Sequence, residues 1–282
     1  MIKAIHINST KPFRMREERV PYFIYNFDIL CTVLSALMWR KHNGPIKLYT
    51  DKIAYDYYDS LNLLDLWDGG IDTTVVEHIP DTINQEIFWA AAKLFALQNE
   101  PTPVTMIDTD LIVWENIESE LVAHQFAVLH REELFEHIYL PDFFLKKRKG
   151  YQFDPEWDWK EPACCTAFAY FSNPDFKQYY LDCAIDFMTD NNEYPKEMVS
   201  QMVFAEQRIA TMCAKKMNVP VFHFLEDPFQ KDNTLFTHLW GGKDIARNDS
   251  QQCGMLCDAL FNKIKEHSPE YYKKLKSLKM FS

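Results

Sequence analysis

The chain has 282 residues, 47% of them apolar and 15% aromatic, with seven glycines and a formal charge of −11. That length allows one large domain or two small ones, and the composition supports a full core and argues against disorder. A chain this acidic has no long-range attraction for nucleic acid or an anionic membrane, so any phosphate must be held locally, by a metal or a few placed cations.

The glycines are too sparse for a G-x-G-x-x-G or a P-loop, and H-E-x-x-H and G-x-S-x-G are absent as well. Dinucleotide-fingerprint, P-loop, zinc-protease and serine-hydrolase readings therefore fall away. The N-terminal run Met1–Asn8 has no charged segment leading into an apolar stretch and a small-residue cleavage site, so no secretory leader is expected. The seven cysteines are odd in number and contain no C-x-x-C pair. Reduced, mostly buried thiols in a cytoplasmic protein are expected.

In chain order, the pattern predicts a strand at 3–7 and a polar loop over 8–16. A helix then opens at Pro21 and ends near Asn43-Gly44. Within it Phe27, Leu30, Cys31, Leu34, Leu37 and Met38 keep helical spacing, and Asn26 and Asp28 interrupt the apolar run. A buried amphipathic helix is expected there, not a membrane span. A strand at 46–49 closes on Thr50-Asp51, followed by a helix over 51–64, a Gly69-Gly70 turn and a strand at 73–77. A helix over 84–98 is stopped by Pro101 and Pro103. A strand at 104–107 runs into Asp108-Thr109-Asp110, and another is expected at 126–129. Residues 130–162, rich in charge and aromatics, read as a long insertion whose Tyr151, Trp157 and Trp159 form a lid core or stack on an acceptor sugar. A strand at 166–171, helices at 174–190 and 198–216, a strand at 218–222 and helices at 250–266 and 268–278 complete the pattern. The alternation predicts an α/β fold: one domain over 1–282, with a mostly parallel central sheet flanked by helices and C-terminal helices over 250–282.

In open α/β sheets, ligands sit at the carboxyl ends of the strands. Asp108 and Asp110 stand just past such an end, spaced to reach one side of a turn, and two hard oxygen donors suit a divalent cation whose shell substrate phosphates complete. Alone, such a pair equally caps a strand or the next helix. Thr237-His238-Leu239-Trp240-Gly241-Gly242-Lys243 adds to it: an imidazole for a transition ion, two glycines that permit close approach, and a compact cation for a phosphate.

With these motifs the sequence resembles the GT-A type glycosyltransferases, most closely the family 8 group of glycogenin-like and bacterial lipopolysaccharide enzymes and their bacterial relatives. The resemblance covers most of residues 1–245. It implies a GT-A (Rossmann-like) fold and a metal-dependent, retaining transfer of a sugar from a nucleotide-sugar donor, a UDP-sugar, to a glycan or lipid-linked acceptor, with a place in polysaccharide biosynthesis. The family's D-x-D matches Asp108 and Asp110, metal ligands there. His238, Gly241 and Lys243 match its H-x-x-G-x-x-K one residue short, without the usual Pro-Trp, and imply a third ligand and a diphosphate contact. The imidazole favours Mn2+ over Mg2+.

By the same resemblance Asn8, Ser9, Thr10, Thr50 and Asp51 lie where the nucleotide is held, with Thr109 between the two acidic ligands. Lys93, fifteen residues before Asp108, matches the family's donor-binding basic residue, though an exposed helix lysine reads the same way. Residues 164–174 resemble the strand lining the sugar pocket but lack its Asn-x-Gly. Glu206-Gln207 stands in a helix where relatives carry an acidic-Gln pair, so Glu206 reads either as facing the acceptor or as a solvated helix carboxylate. Asp110, Lys243 and Glu206 are thus the expected catalytic residues, and an inverting enzyme would need Glu206 or Asp158 as its base. The alternatives are a nucleotide-sugar-binding protein without turnover and a haloacid-dehalogenase-like phosphatase, whose Asp-x-Asp usually follows the first strand. A nucleotidyltransferase lacks its Gly-rich basic loop here.

Overall fold

The computed structural model describes residues 1–16, 20–230 and 233–281. In chain order its first half runs β1 (Ala4–Asn8), α1 (Lys11–Arg16), α2 (Asn26–His42), β2 (Ile46–Thr50), α3 (Lys52–Ser60), β3 (Ile71–Asp72), α4 (Ala91–Gln98), β4 (Val104–Ile107), β5 (Leu111–Val113), α5 (Glu118–Val122) and β6 (Phe126–Glu132). Then follow β7 (Ala163–Cys164), β8 (Phe168–Phe171), α6 (Pro174–Met188), α7 (Met198–Val203), α8 (Ile209–Lys216), β9 (Val221–Leu225), β10 (Phe236–His238), α9 (Gly242–Asn248), α10 (Ser250–His267) and α11 (Pro269–Lys276).

The central sheet has the order β3-β2-β1-β4-β8-β6-β7, with β9 also paired to β6. The β3-β2-β1-β4 half is parallel, as is β6–β9, while β8 runs antiparallel to β4 and β6. This is the α/β architecture expected. Because β1 and β4 are parallel neighbours, their carboxyl ends, Asn8 and Ile107, open on the same edge. A short second sheet pairs β10 with β5 antiparallel, His238 opposite Leu111.

One core packs α2, β5 and α10 on one face of the sheet, and the other packs α4, α6 and α8 on the opposite face. α2 differs from the amphipathic expectation. Its buried residues run Phe27, Ile29 to Ala36, Met38 and Trp39, so it is covered nearly all round, by α10 on one side and β5 on another. It starts at Asn26, five residues after Pro21. The loop expected over 8–16 holds the short helix α1, although the side chain of Arg16 lies outside the described residues. The strand expected at 73–77 is replaced by the two-residue β3, because Asp72 Oδ1 takes the backbone N–H groups of Thr74 and Val75 and turns the chain. β6 runs to Glu132, so the insertion begins at 133. Its Tyr151, Phe153, Trp157 and Trp159 pack on Phe187 and Phe204, the lid-core alternative and not a stacking platform. All seven cysteines are free thiols, and no helix among the described residues is long and apolar enough to cross a membrane.

Glu100 ties the sheet edge together. Its buried carboxylate takes Tyr49 Oη–H at 2.5 Å and Lys3 Nζ at 2.6 Å, with Lys47 Nζ 3.2 Å away. Burial pushes this carboxyl up, but the Lys3 and Tyr49 hydrogen bonds and the Lys47 charge outweigh it and hold it below the usual carboxylate range. A depressed folded pKa stabilises above the unfolded value of about 4.3 and is lost as pH falls through the folded one. Glu100→Gln is therefore expected to cost about 1–3 kcal/mol at pH 7 in urea unfolding, with the gap to the wild type closing below about pH 4.

Candidate functional site

The turn from β4 into β5 carries Asp108, Thr109 and Asp110. Pairing of β10 with β5 brings His238 against it, and Leu239 N–H donates to the Asp110 carbonyl at 3.1 Å. One ligand atom each from Asp108, Asp110 and His238 lies within 4.8 Å of the others. His238 Nε2 is 3.6 Å from Asp110 Oδ2, and Lys243, in the first turn of α9, places its ammonium on the same oxygen. Lys93 Nζ, from α4, sits 2.5 Å from Asp108 Oδ1 and 2.9 Å from Glu206 Oε1.

This arrangement fixes the charges. Burial pushes the Asp110 carboxyl up, but the Lys243 ammonium above all, through its charge and its hydrogen bond, overcomes it and holds the group below the usual range, ionised. Burial lowers His238 against the pull of Asp110 and Asp108, which leaves a neutral imidazole with a lone pair to offer. Lys93 and Lys243 lose by burial and gain more from their carboxylate partners, so both stay charged. Two carboxylates and an imidazole fit a transition ion better than an alkaline-earth ion. Without an ion, two lysines neutralise the carboxylates.

Two cavities meet here, sharing Lys243 and Arg247. The larger, about 720 Å³, is lined by Asn8, Ser9, Thr109 and the rings of Phe13, Tyr22, Tyr58 and Trp89. The smaller, about 270 Å³, is lined by Lys93, Asp108, Asp110, Glu132, Gln207 and His238. Beside the larger, Ser9 Oγ is buried and has no hydrogen-bond partner among the described residues. Asn8 Nδ2–H donates to the hydroxyls of Tyr58 at 2.8 Å and Tyr22 at 3.0 Å, which fixes both rings in the cavity wall.

The structure therefore brings Asp108, Thr109, Asp110, His238, Lys243, Lys93, Asn8 and Ser9 together. Other expected residues lie elsewhere. Thr50 is fully buried, its hydroxyl donating to the Asn8 carbonyl at 2.8 Å. Asp51 caps α3, taking Ala54 N–H at 3.0 Å and Thr10 N–H at 2.5 Å, so both its oxygens are used and Thr10 faces the core. These three position the β1 loop without lining either of the two cavities. Glu206 is buried behind Lys93 and also accepts from Thr166 Oγ1 at 2.8 Å, so it braces the lysine and does not reach the cleft. It lies in a π-helical turn, Phe204–Arg208, whose next residue, Gln207, does line the smaller cavity. Asp158 is exposed in the insertion, accepting Lys160 N–H at 2.9 Å. Gly241 and Gly242 have open space where a Cβ would stand, so the fold alone does not require glycine there; Gly241 has an ordinary helical φ of −55°.

Arg247, Asp28 and Glu132 escaped the sequence reading. Arg247 follows Lys243 by one helical turn on α9, a spacing that puts both on one face. Asp28 faces Arg247 at 3.6 Å and lines the larger cavity; its only mark in the sequence is a lone charge in an apolar run. Glu132 ends a strand that runs three residues longer than its apolar pattern.

Many solved structures overlap the chain, and three of them illustrate the likeness. The bifunctional glycosyltransferase WbbM is 10% identical over 79% of this chain at a TM-score of 0.44, and the chain spans 38% of the WbbM length. HddC from Yersinia pseudotuberculosis is 11% identical over 92% of this chain and 99% of its own, TM-score 0.44. The PaToxG glycosyltransferase is 12% identical over 97% of this chain and 83% of its own, TM-score 0.42. No curated protein matches the chain by sequence. The profile of one family, described only as a family of unknown function (DUF6734), matches residues 8–278, and the chain belongs to that family.

Proposed function

We propose that the chain is a glycosyltransferase that uses a divalent metal, Mn2+ in preference to Mg2+, to move a sugar from a UDP-sugar donor to a glycan or lipid-linked acceptor. The observation that carries the reading is the meeting of Asp108, Asp110 and His238, from distant stretches of chain, where an aromatic cavity joins a polar one. The larger cavity suits a nucleoside: it offers the aromatic faces of Phe13, Tyr22, Tyr58 and Trp89. Lys243 and Arg247, shared by both cavities, suit the diphosphate between them, which leaves the smaller cavity for the sugar. The acidic pair follows the fourth strand of the chain, not the first, which speaks against the phosphatase alternative.

When bound, a divalent cation at Asp108, Asp110 and His238 supplies Lewis-acid charge to the departing diphosphate. The chain's own residues do the rest. With that charge in place Asp108 and Asp110 would no longer depend on their lysine partners, and Lys243 would be free to meet a phosphate oxygen beside Arg247. Lys93 remains against Glu206, held for the donor. His238 stays neutral, with its Nε2 3.6 Å from Asp110 Oδ2.

This exchange makes metal and nucleotide binding cooperative. Isothermal titration is expected to show UDP binding at least about tenfold tighter with Mn2+ than without, a coupling of about 1.4 kcal/mol. UDP binding indifferent to Mn2+ would contradict the reading. Release of UDP from a UDP-sugar then separates a transferase from a binding protein, which would show the coupling and no release.

A further inference from the structure

Transfer to a hydroxyl needs a group to take its proton, and the two carboxylates that the sequence offers are excluded by their places: Glu206 is locked behind Lys93, and Asp158 lies exposed in the insertion. Glu132 is placed differently. It is the last residue of β6 and lines the smaller cavity together with Asp108, Asp110, Lys93 and His238. Its side chain is 20% exposed, and among the described residues no lysine, arginine or hydrogen-bond donor holds it. His130, two residues earlier on the same face of β6, places Nδ1 3.7 Å from Oε1, and the Cys165 thiol lies within 4.8 Å of both side chains.

Across the cavity the charged groups pair with one another, Lys93 with Asp108 and Glu206, Lys243 with Asp110, and Arg247 with Asp28 and Asp244, while the groups packed against Glu132 on β6 and β7 are neutral near pH 7. Burial keeps His130 uncharged, and its Nδ1 faces the Arg131 carbonyl at 3.1 Å. Cys164 and Cys165, at and just beyond β7, have thiols that burial pushes up, and so has the Tyr139 hydroxyl, which donates to Gln207 at 2.6 Å. Nothing compensates a charge on Glu132, and burial pushes its carboxyl up to about 7. A carboxyl at that value combines a substantial ionised fraction at neutral pH with enough basicity to accept a proton.

We propose that Glu132 is the base that takes the proton of the acceptor hydroxyl. The inference rests on the transferase reading. The acceptor oxygen bonds to the anomeric carbon as the bond from that carbon to the diphosphate oxygen breaks. The diphosphate leaves with the electron pair, and the acceptor proton ends on a Glu132 oxygen. Such a direct displacement inverts the anomeric carbon, opposite to the retention that resemblance to family 8 implies.

The test uses a panel of UDP-sugars with Mn2+ and water as the acceptor, and follows UDP release by the wild type and Glu132→Gln. Wild-type release is expected to rise with pH through about 7 and level off, because the deprotonated carboxylate is the active form. Glu132→Gln is expected to be at least about 100-fold slower and to lack that limb, with the wild-type melting temperature and UDP affinity. Proton NMR of the sugar released in the first minutes is expected to show inversion. Equal rates, an unchanged pH limb or retained configuration would overturn the proposal. So would one zinc per chain that disappears in Glu132→Gln, which would make this carboxylate a ligand beside His130 and Cys165. Failure of the wild type to release UDP from any donor with Mn2+ would bring down the transferase reading itself, and this proposal with it.

Discussion

Replacing Asp110 by Asn is expected to lower metal-dependent UDP release by about 10²–10³-fold, the usual effect of removing one preorganised electrostatic group from a reaction centre. Asp110 stands where three partners converge. It holds the Lys243 ammonium, faces His238 at 3.6 Å and contributes a ligand atom to the cluster with Asp108. Asparagine keeps the shape and the backbone contact with Leu239 but removes the charge, so the fold is expected to survive. The checks are steady-state rates at limiting Mn2+ and circular dichroism of the variant. Wild-type rates with limiting metal would contradict the role.

The second large effect is expected at Lys93. Its ammonium lies between Asp108 and Glu206, and the side chain is only 18% exposed. Lys93→Met keeps most of the stem's packing but leaves two close carboxylates without their shared cation. Breaking a buried ion pair by removing one partner costs about 3–5 kcal/mol; partial exposure puts Lys93→Met near the lower end, and urea unfolding measures it. Mn2+ is expected to restore part of this loss, because an ion at Asp108 replaces the missing charge, and to raise the melting temperature of the variant more than that of the wild type. The same variant is expected to bind Mn2+ more tightly and turn over more slowly, since the lysine both competes with the ion and serves the donor. Unchanged stability and unchanged Mn2+ affinity would show that Lys93 is an ordinary helix lysine.

The readable parts of this chain are those that local chemistry decides. The strand 104–107 and the acidic pair after it are plain in the sequence, because an apolar β-branched run ending in Asp-Thr-Asp has few other readings. The helices expected at 174–190 and 250–266 are present as α6 and α10, each capped by the side chain of the residue before it, Asn173 and Asp249. His238 was legible as a residue type, but its place depends on β10, a three-residue strand that exists only by pairing with β5 far away in the chain. Short strands carry little propensity of their own. Thr50 and Asp51 show the opposite difficulty: they end a strand at the right edge of the sheet, yet the local hydrogen bonds of a helix cap and a loop consume their polar atoms. Glu132 was hidden because no periodicity marks a charged residue that ends a buried strand inside a cleft.

The most direct measurement is an anomalous difference map at a wavelength where manganese scatters strongly, from crystals grown with Mn2+ and UDP. The account predicts a single strong peak among the carboxylates of Asp108 and Asp110 and His238 Nε2, with Lys243 turned from Asp110 toward a phosphate oxygen. A diphosphate bound with no manganese at these three side chains, and with Lys243 still on Asp110, would contradict it.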